Sequence, residues 1–434
     1  MTNMTNSHVV APSDISLPKG VKDFLPLKAG KIVYLRQTLL DIFSRWGFRP
    51  VIPPSMEYLN VLERGLGSAL QEKAVRFDDR QSGQMVAFTP DMTPQVARIV
   101  ATRMREMPLP IRLSYYGRVL RHEEQQQGKD REIFQAGVEL YGLDGAEADA
   151  EMIAMAIESL QTLGVDEFTI DIGQVEFSRG IMDQLKLPAE QMDKITAAIA
   201  HKDTSGLKLL LAEADLDKGL TDAITALPRL FGGREVLDKA GKVVSNDRSV
   251  QALENLRRVL EILEVNGLEE YVTFDLGEMQ GLDYHTGITF QAYLAGVGQS
   301  VCAGGRYDKL TAAYGYPIPA TGFTFNLLNL LFALDKKLDE VAVSYTDLLI
   351  SQSGENKELA QKIARAVRQQ GLSAARDILS RSSDETLEYA RKMNFRYVMN
   401  VGSNSEEVTL HSLADDTERT IAVKAIFAGE LELL

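Results

Sequence analysis

Two extended segments, residues 111–123 and 131–142, constrain the fold of this chain more than any other feature, and a polar loop at 124–130 joins them. Long extended segments on either side of one loop predict an antiparallel hairpin. In the second segment Gln135 and Glu139 lie four residues apart, so both point to the same side of a strand. Apolar residues alternate with them. The pattern predicts an antiparallel sheet with a polar pair on one face, and it leaves open which face meets solvent.

Length and charge limit the class of protein. A chain of 434 residues is longer than one ordinary domain and indicates two or three. With 45% hydrophobic and 25% charged residues, the composition is that of a globular protein. A net charge of −14 repels phosphate backbones, and no basic run in the sequence opposes this field. Binding to nucleic acid is therefore not expected.

Cysteine, histidine and the N-terminal segment exclude several further classes. Cys302 is the single cysteine, which excludes a disulfide framework and any paired-cysteine metal site, and the five histidines form no ligand cluster. We therefore predict no metal, no cofactor and a reducing compartment. Residues 1–16 are polar and lack the apolar core of a signal peptide or membrane anchor. They are interpreted as a disordered lead-in to a cytoplasmic protein that does not associate with membranes.

Helical and extended patterns outline a first domain at residues 17–335. Apolar residues at helical spacing predict helices at 29–46, 96–105 and 146–163. Extended patterns predict a proline-rich edge strand at 48–57, a hairpin formed by 77–80 and 85–90, and a strand at 168–173. Residues 187–267 are rich in Leu, Ala, Lys, Asp and Glu at helical spacing. They predict a helical insertion, which is either a spacer, a partner contact or packing support.

A second domain, residues 344–434, follows a charged linker at 335–343. Its elements alternate, with predicted strands at 347–351 and 397–401 and predicted helices at 355–370 and 381–394. This alternation predicts a small α/β domain with a mixed sheet. The fold class of the whole chain is therefore expected to be α+β.

Three shorter motifs carry polar residues beside glycines or prolines. Residues 279–291 begin Met-Gln-Gly-Leu-Asp-Tyr-His and continue as a strand with Ile288 and Phe290 on one face. Residues 304–308 read Gly-Gly-Arg-Tyr-Asp, and residues 89–95 read Thr-Pro-Asp-Met-Thr-Pro-Gln. Glycine lets backbone approach a ligand closely. The acid and threonine of the last motif either contact a ligand or only cap the helix that follows.

Together with Arg121-His122-Glu123, these motifs resemble the histidyl-tRNA synthetase family of class II aminoacyl-tRNA synthetases. The resemblance covers residues 17–434. It implies a class II antiparallel sheet flanked by helices, with the helical insertion and a C-terminal domain similar to the anticodon-binding domain. It also implies that histidine is bound by Asp91, Thr93, Arg121, Gln135, Glu139, Tyr284, His285 and Tyr307.

The resemblance further implies a role for several of these positions. Asp91 and Thr93 correspond to the acid and threonine that hold the amino group of histidine, and Tyr307 to the tyrosine that closes the pocket. His285 stands where the family has a second tyrosine, which implies a pocket of different shape and affinity.

Two positions depart from the family pattern. Gln280 stands where the family has an arginine that stabilises the charge developing during histidine activation, and Asn329 stands where it has an arginine against the γ-phosphate of ATP. A neutral amide does not replace a fixed cation, and losing one such stabiliser costs on the order of 10² to 10³ in rate. No catalytic residue is therefore expected in this chain.

A site that keeps its ligand contacts and loses its chemistry resembles the regulatory subunits of ATP phosphoribosyltransferase, which are paralogues of the synthetases. This resemblance implies a protein without catalysis of its own, in a hetero-oligomer with a short catalytic subunit. The assembly carries out the first step of histidine biosynthesis, with L-histidine as feedback effector. A homodimer core is also implied, with residues 48–57 at the interface, although the same prolines would equally guard a strand edge against aggregation.

Two alternatives belong to other classes of protein. The first is a divergent histidyl-tRNA synthetase in which Arg121 or Arg306 replaces the missing cations. The second is a free-standing histidine or RNA sensor without a transferase partner. Acidic residues outnumber basic ones in the C-terminal domain, which makes a role in nucleic-acid binding doubtful and favours a scaffold or an assembly surface.

Overall fold

The computed structural model describes residues 16–122, 130–212, 214, 216–278, 285–341, 345–352, 356–379 and 381–433. Contacts divide the chain into two compact units, one ending at Asp339 and the other beginning at Glu340. The predicted lead-in up to residue 15, and the positions Gln280 and Tyr284, lie outside the described residues. Within the described part of the chain, no helix is both long and apolar enough to cross a membrane.

The first unit combines strands and helices in mixed order. Its strands are β1 (Arg49–Pro50), β2 (Met56–Tyr58), β3 (Arg76–Asp78), β4 (Met85–Phe88), β5 (Ile111–Leu120), β6 (Glu132–Tyr141), β7 (Phe168–Gln174), β8 (Phe231–Gly232), β9 (Val272–Asp275), β10 (Ile288–Leu294), β11 (Cys302–Arg306) and β12 (Ala320–Asn326). The α-helices that begin in it are α1 (Pro26–Arg45), α2 (Leu59–Leu62), α3 (Ser68–Glu72), α4 (Thr93–Arg103), α5 (Ala146–Thr162), α6 (Val175–Met182), α7 (Ala189–Ala200), α8 (Thr204–Ala212), α9 (Lys218–Ala226), α10 (Glu235–Gly241), α11 (Asp247–Val265) and α12 (Leu327–Val341).

A nine-stranded sheet forms the centre of this unit, in the order β1-β5-β6-β12-β11-β10-β7-β9-β8. All neighbours from β5 to β7 are antiparallel, whereas β1 and β9 run parallel to β5 and β7. This confirms the predicted antiparallel core and the hairpin of β5 and β6. A separate three-stranded sheet of β2, β4 and β3 contains the predicted hairpin, now seen as β3 and β4.

Both faces of β6 are buried, which answers the question that the sequence left open. Phe134 on one face is 3% exposed, and Gln135 and Glu139 on the other are 3% and 1% exposed. A buried carboxyl group needs a polar partner or a ligand, because an unpaired one is costly to remove from water. The polar face of β6 therefore points to the interior of the protein and not to bulk solvent.

The prediction of a single strand at residues 48–57 is wrong. Its first part forms β1 at the edge of the large sheet, and its last part forms β2 in the small sheet. Pro50, Pro53 and Pro54 lack the backbone N–H that a continuous ladder requires, so the extended chain changes from one sheet to the other within this stretch.

The prediction of a charged linker at residues 335–343 is also wrong for residues 335–341, because α12 continues to Val341. Leu330, Leu334 and Leu338 recur at helical spacing and are buried. Lys31 of α1 is 2% exposed, and its ammonium lies 2.6 Å from an Asp335 carboxylate oxygen and 2.8 Å from one of Asp339. The charges of this stretch thus hold one helix to another.

Helices α7 to α11 confirm that residues 187–267 are a helical insertion. The longest of them, α11, buries Leu256, Val259 and Leu263 on one face. The insertion also contributes β8, a two-residue strand at the end of the large sheet that the sequence does not predict.

The second unit contains a five-stranded mixed sheet, as predicted, in the order β14-β13-β15-β16-β17. Its elements are β13 (Thr346–Gln352), α13 (Lys357–Gln369), β14 (Ala374–Arg376), α14 (Ser383–Lys392), β15 (Phe395–Val401), β16 (Glu407–Ser412), β17 (Glu418–Ala422) and α15 (Val423–Ala428). The first three strands of the sheet are mutually parallel, and the last two are antiparallel additions. The core lies between the sheet and α13, with Ile350, Ile363 and Met399 fully buried.

Candidate functional site

A cavity of about 710 Å³ opens on the polar face of β6, β12, β11 and β10. Its wall includes predicted site residues from separate parts of the sequence: Asp91, Thr93, Arg121, Gln135, His285, Tyr307 and the predicted lost position Asn329. Glu139 lies directly behind this wall, since a Cβ atom added to the lining residue Gly322 would be 2.0 Å from its Oε2. The structure therefore brings together all the predicted site residues that it describes, and Tyr284 is outside the description.

The loop before α4 is held against β6 by Gln135. The backbone N–H of Met92 donates to Gln135 Oε1 at 3.1 Å, and Gln135 Nε2 donates to Asp91 Oδ1 at 3.4 Å. The same carboxylate oxygen accepts from the backbone N–H of Thr93 at 3.3 Å, so Asp91 does help to cap the helix. That helix begins at Thr93, three residues earlier than predicted, because Pro94 is well tolerated in a first turn. Asp91 thus serves the helix and still lines the cavity.

The carboxyl group of Glu139 is almost completely buried at the site. Tyr115 donates its hydroxyl to Glu139 Oε1 at 3.0 Å, and the Thr93 hydroxyl lies 3.3 Å from the same tyrosine oxygen. Burial raises the pKa of Glu139 well above its usual range, and the nearby charge of Asp91 acts in the same direction. Burial and the same carboxylates also raise the pKa of Tyr115, which keeps its hydroxyl a donor.

Tyr115 is a site residue that the sequence analysis missed. It lies on β5 opposite Gly137 of β6, and a Cβ atom at Gly137 would be 2.6 Å from its hydroxyl oxygen. The absent side chain gives the phenol room to reach Glu139. A glycine between Gln135 and Glu139 on the polar face was the available signal, because a glycine within a strand often marks a close approach.

Glycines on neighbouring strands let three polar side chains converge. A Cβ atom at Gly322 would be 2.8 Å from the Tyr307 hydroxyl, besides its clash with Glu139. A Cβ atom at Gly305 would be 3.0 Å from Nε2 of His285. The phenol, the imidazole and the carboxyl group can therefore lie against the sheet only because these two positions lack side chains.

His285 is a neutral part of the wall. It is 6% exposed, and burial lowers its pKa from 6.5 to about 4, with Arg179 as a second cause. The guanidinium of Arg179 also donates to the His285 carbonyl oxygen at 2.9 Å. At neutral pH the ring therefore carries no charge, and one of its nitrogens is a donor and the other an acceptor.

The two arginines considered as replacement cations have different positions. Arg121 lines the cavity, where its Nε donates to the Pro90 carbonyl oxygen at 2.7 Å and its Nη2 lies 3.9 Å from Asp91 Oδ2. Arg306 forms a buried ion pair with Asp149, at 3.0 Å between Nη2 and Oδ1, behind the cavity wall. Arg306 is thus committed to the protein interior and does not face a ligand.

The start of α12 has no cation at the predicted lost position. Asn329 donates from Nδ2 to the Ser300 carbonyl oxygen at 2.7 Å. Asn326 accepts from the backbone N–H groups of Leu328 and Asn329 at 3.0 and 3.3 Å. These helix-terminal donors would otherwise attract an anion. Side chains of the protein itself therefore use the groups with which this helix end could bind a phosphate.

The polar groups that face the cavity suit a small ligand that carries hydrogen-bond donors or positive charge. Asp91 and Glu139 supply carboxyl groups, and Gln135 supplies an amide on the same strand as Glu139. Cys302 also borders the cavity, but burial raises the pKa of its thiol well above the ordinary value, so the thiolate is disfavoured.

Comparisons with known proteins agree over almost the whole chain. A sequence model of the histidyl-tRNA synthetase family matches residues 20–330. The ATP phosphoribosyltransferase regulatory subunit of Syntrophotalea carbinolica is 61% identical over 428 residues, which cover 99% of this chain and 100% of the relative. That of Geobacter sulfurreducens is 49% identical, with 98% of each chain covered.

A solved structure gives the same result at the level of the fold. The crystal structure of an ATP phosphoribosyltransferase regulatory subunit/histidyl-tRNA synthetase from Bacillus halodurans superposes with a TM-score of 0.79 at 28% identity, covering 90% of this chain and 99% of that chain. The chain therefore belongs to the histidyl-tRNA synthetase family, within the group of ATP phosphoribosyltransferase regulatory subunits.

Proposed function

We propose that this chain is the non-catalytic regulatory subunit of ATP phosphoribosyltransferase and that its cavity binds L-histidine as the feedback signal. The observation that carries the proposal is the contrast within one cavity. Carboxyl and amide groups converge at Asp91, Gln135 and Glu139, while the start of α12 has the neutral Asn329 where the synthetases have a cation. Gln280 lies outside the described residues, but in the sequence it stands at a second position where the synthetases have an arginine.

Histidine matches the chemistry of the acidic corner. Its ammonium group would lie against Asp91 and Thr93, and its imidazole against the carboxyl group of Glu139, which lies under Gly322 of the cavity wall. A buried carboxyl group and an imidazole satisfy each other, and each is costly to bury alone. The phenols of Tyr115 and Tyr307 would orient the ring.

Activation of histidine with ATP would need more positive charge than the described cavity offers. A triphosphate carries several negative charges, and Arg121 is the only arginine or lysine that lines the described cavity. Arg306 is held by Asp149, so the divergent-synthetase alternative lacks one of its two replacement cations. We therefore assign the cavity to sensing and not to catalysis.

Feedback requires that histidine binds two states of the assembly unequally. A ligand with the same affinity for both states would shift nothing, however tightly it bound. The regulatory subunit would join the short catalytic subunit in the cytoplasm, and occupancy of its cavity would favour the less active state of that assembly.

A homodimer core is part of the same proposal. Met56 and Tyr58 of β2 and Phe77 of β3 share one face of the small sheet and are 47%, 40% and 39% exposed. Neighbouring exposed apolar side chains on a sheet are typical of a protein interface. We propose that this face contacts a second copy of the chain, beside the residues at 48–57.

The experiment that tests the effector site is a titration of histidine against the assembled transferase. Glu139→Ala removes the buried carboxyl partner of the bound imidazole and leaves that ring unpaired, which should cost histidine binding about 1 to 3 kcal/mol and raise the inhibitory concentration about 5- to 150-fold. Glu358→Ala is a matched control, because that carboxylate pairs with Lys362 on the surface of the second unit. Unchanged inhibition in Glu139→Ala would mean that the feedback site lies elsewhere.

A second measurement tests the non-catalytic assignment on its own. The pure protein is incubated with histidine, ATP and labelled pyrophosphate, and exchange of label into ATP is followed. We expect no histidine-dependent exchange. Measurable exchange would restore the synthetase alternative, whatever the outcome of the titration.

A further inference from the structure

A chain of polar side chains, buried at Asp149 and Arg306 and partly exposed at Asp308 and Thr286, lies directly behind the cavity. Arg306 of β11 donates from Nε to both carboxylate oxygens of Asp149 at 3.1 Å and from Nη1 to Asp308 Oδ1 at 3.1 Å. It also donates to the carbonyl oxygens of Leu143 and Gly145, at 3.0 and 3.3 Å. Asp149 is 1% exposed. This arginine therefore fixes the start of α5 to the end of β11.

The chain of contacts continues to the residue next to His285. Asp308 donates its backbone N–H to the Thr286 hydroxyl oxygen at 2.8 Å, and that hydroxyl donates to Asp308 Oδ2 at 3.2 Å. The backbone N–H of Thr286 donates to the Arg306 carbonyl oxygen at 2.8 Å. Asp308 Oδ1 also accepts from the Ala320 backbone N–H at 3.0 Å, which ties β12 to the same point.

Residues 285–287 need such support because they precede β10 and have no strand ladder of their own. Their backbone is held from one side by Arg179 and by Val175, whose N–H donates to the Gly287 carbonyl oxygen at 3.0 Å. From the other side they are held by Arg306 and Asp308. Bonds between charged partners of fixed geometry restrict position more strongly than neutral ones.

We propose that Asp149, Arg306, Asp308 and Thr286 form a positioning network that sets His285 and Tyr307 for the ligand of the cavity. The proposal rests on the proposed histidine site and adds residues that do not touch the ligand. Tyr307 lies between Arg306 and Asp308 in the sequence, so the two anchored neighbours restrict its backbone. His285 is fixed in the same way through Thr286. A shift of residues 285–287 would move one wall of the cavity, although the polar groups in that wall would stay the same.

The test uses Thr286, because removing Arg306 would leave the Asp149 carboxylate buried without a partner and would endanger folding. Thr286→Val removes the hydroxyl at nearly constant size and leaves the Arg306–Asp149 pair intact. Histidine affinity of the complete transferase assembly, measured by calorimetry well below the melting temperature, should fall about three- to tenfold. Thr286→Ser, which keeps the hydroxyl, should restore affinity to within about twofold of wild type.

Thr386→Val is the matched control. Its hydroxyl donates to Asp377 Oδ2 at 3.3 Å in the second unit, so it reproduces a threonine–aspartate contact between residues that do not line the cavity. This variant should keep wild-type affinity even if its melting temperature falls. A merely structural role for Thr286 would likewise lower the melting temperature alone.

The outcomes separate this proposal from the proposed function. Wild-type affinity in Thr286→Val, together with loss of affinity in Glu139→Ala, would overturn the positioning network and leave the histidine site in place. If Glu139→Ala also bound histidine like wild type, the histidine site itself would be refuted. Weak binding in Thr286→Val that Thr286→Ser does not restore would also overturn the role given to the hydroxyl.

Discussion

His285 should make the first unit sensitive to acid. Its pKa is lowered from 6.5 to about 4, first by burial and second by Arg179, so folding favours the neutral ring. A group with a depressed pKa contributes stability that is present above its unfolded pKa. That contribution is lost as the pH falls through the folded pKa. The window is therefore from pH 6.5 down to about pH 4.

The magnitude follows from the width of that window. At 1.36 kcal/mol per pKa unit, the difference between 6.5 and about 4 corresponds to about 3 kcal/mol of unfolding free energy. His285→Gln replaces the ring by a polar side chain that does not titrate. The variant should be less stable than wild type at neutral pH, and the gap should close on acidification by about 3 kcal/mol.

The assay is urea unfolding of both proteins at about pH 7 and about pH 4, followed by tryptophan fluorescence. Trp46 is the single tryptophan and donates from Nε1 to Glu158 at 2.8 Å within the first unit, so its signal reports that unit. Both proteins must be compared, because Glu139 has a raised pKa and shifts stability in the opposite direction. An equal loss of stability in the two proteins would refute the reasoning.

Two further expectations concern the cavity floor and the exposed sheet face. Gly322→Ala places a Cβ atom 2.0 Å from Glu139 Oε2, so histidine affinity measured by calorimetry should fall at least about tenfold. Gly241→Ala is the control and should bind normally, because its Cβ position has no contact within 4 Å beyond the backbone of its own helix. Tyr58→Glu puts a charge on the exposed apolar face of the small sheet and should shift the chain towards monomer in sedimentation experiments. Wild-type affinity in the first variant, or a wild-type dimer in the second, would count against the corresponding assignment.

Local sequence patterns were sufficient to predict the long helices and strands and to place Gln135 and Glu139 on one face of β6. The spacing of Gln135 and Glu139 places them on one face of any strand, whatever the rest of the fold, and the structure confirms that geometry. Apolar periodicity likewise locates α1 and α5 within a few residues. Short elements such as β8 and β14 depend on partners far away in sequence, so no local signal marks them.

Contacts between distant residues decided what the sequence could not predict. The charged stretch of α12 buries its leucines on one face, and its acids Asp335 and Asp339 pair with Lys31, more than 300 residues earlier. Tyr115 reaches Glu139 only because Gly137 of the neighbouring strand has no side chain. Charge and strand position alone predict a linker in the first case and an ordinary core tyrosine in the second.

Asn329 and Arg306 differ in what a neutral side chain at each position requires of its surroundings. An arginine that serves only a bound polyanion needs no buried partner, and Asn329, at a position where the sequence analysis predicts such an arginine to be lost, makes a neutral hydrogen bond to Ser300. Arg306 differs, because its removal would leave the carboxylate of Asp149 buried without compensation, which typically costs about 3 to 5 kcal/mol. A neutral residue at position 329 therefore leaves no buried charge unpaired, whereas a neutral residue at position 306 would. By the same reasoning, Asn329→Arg would have to break the bond to Ser300, and it would still leave the neutral amide of Gln280 at the second position predicted to have lost a cation.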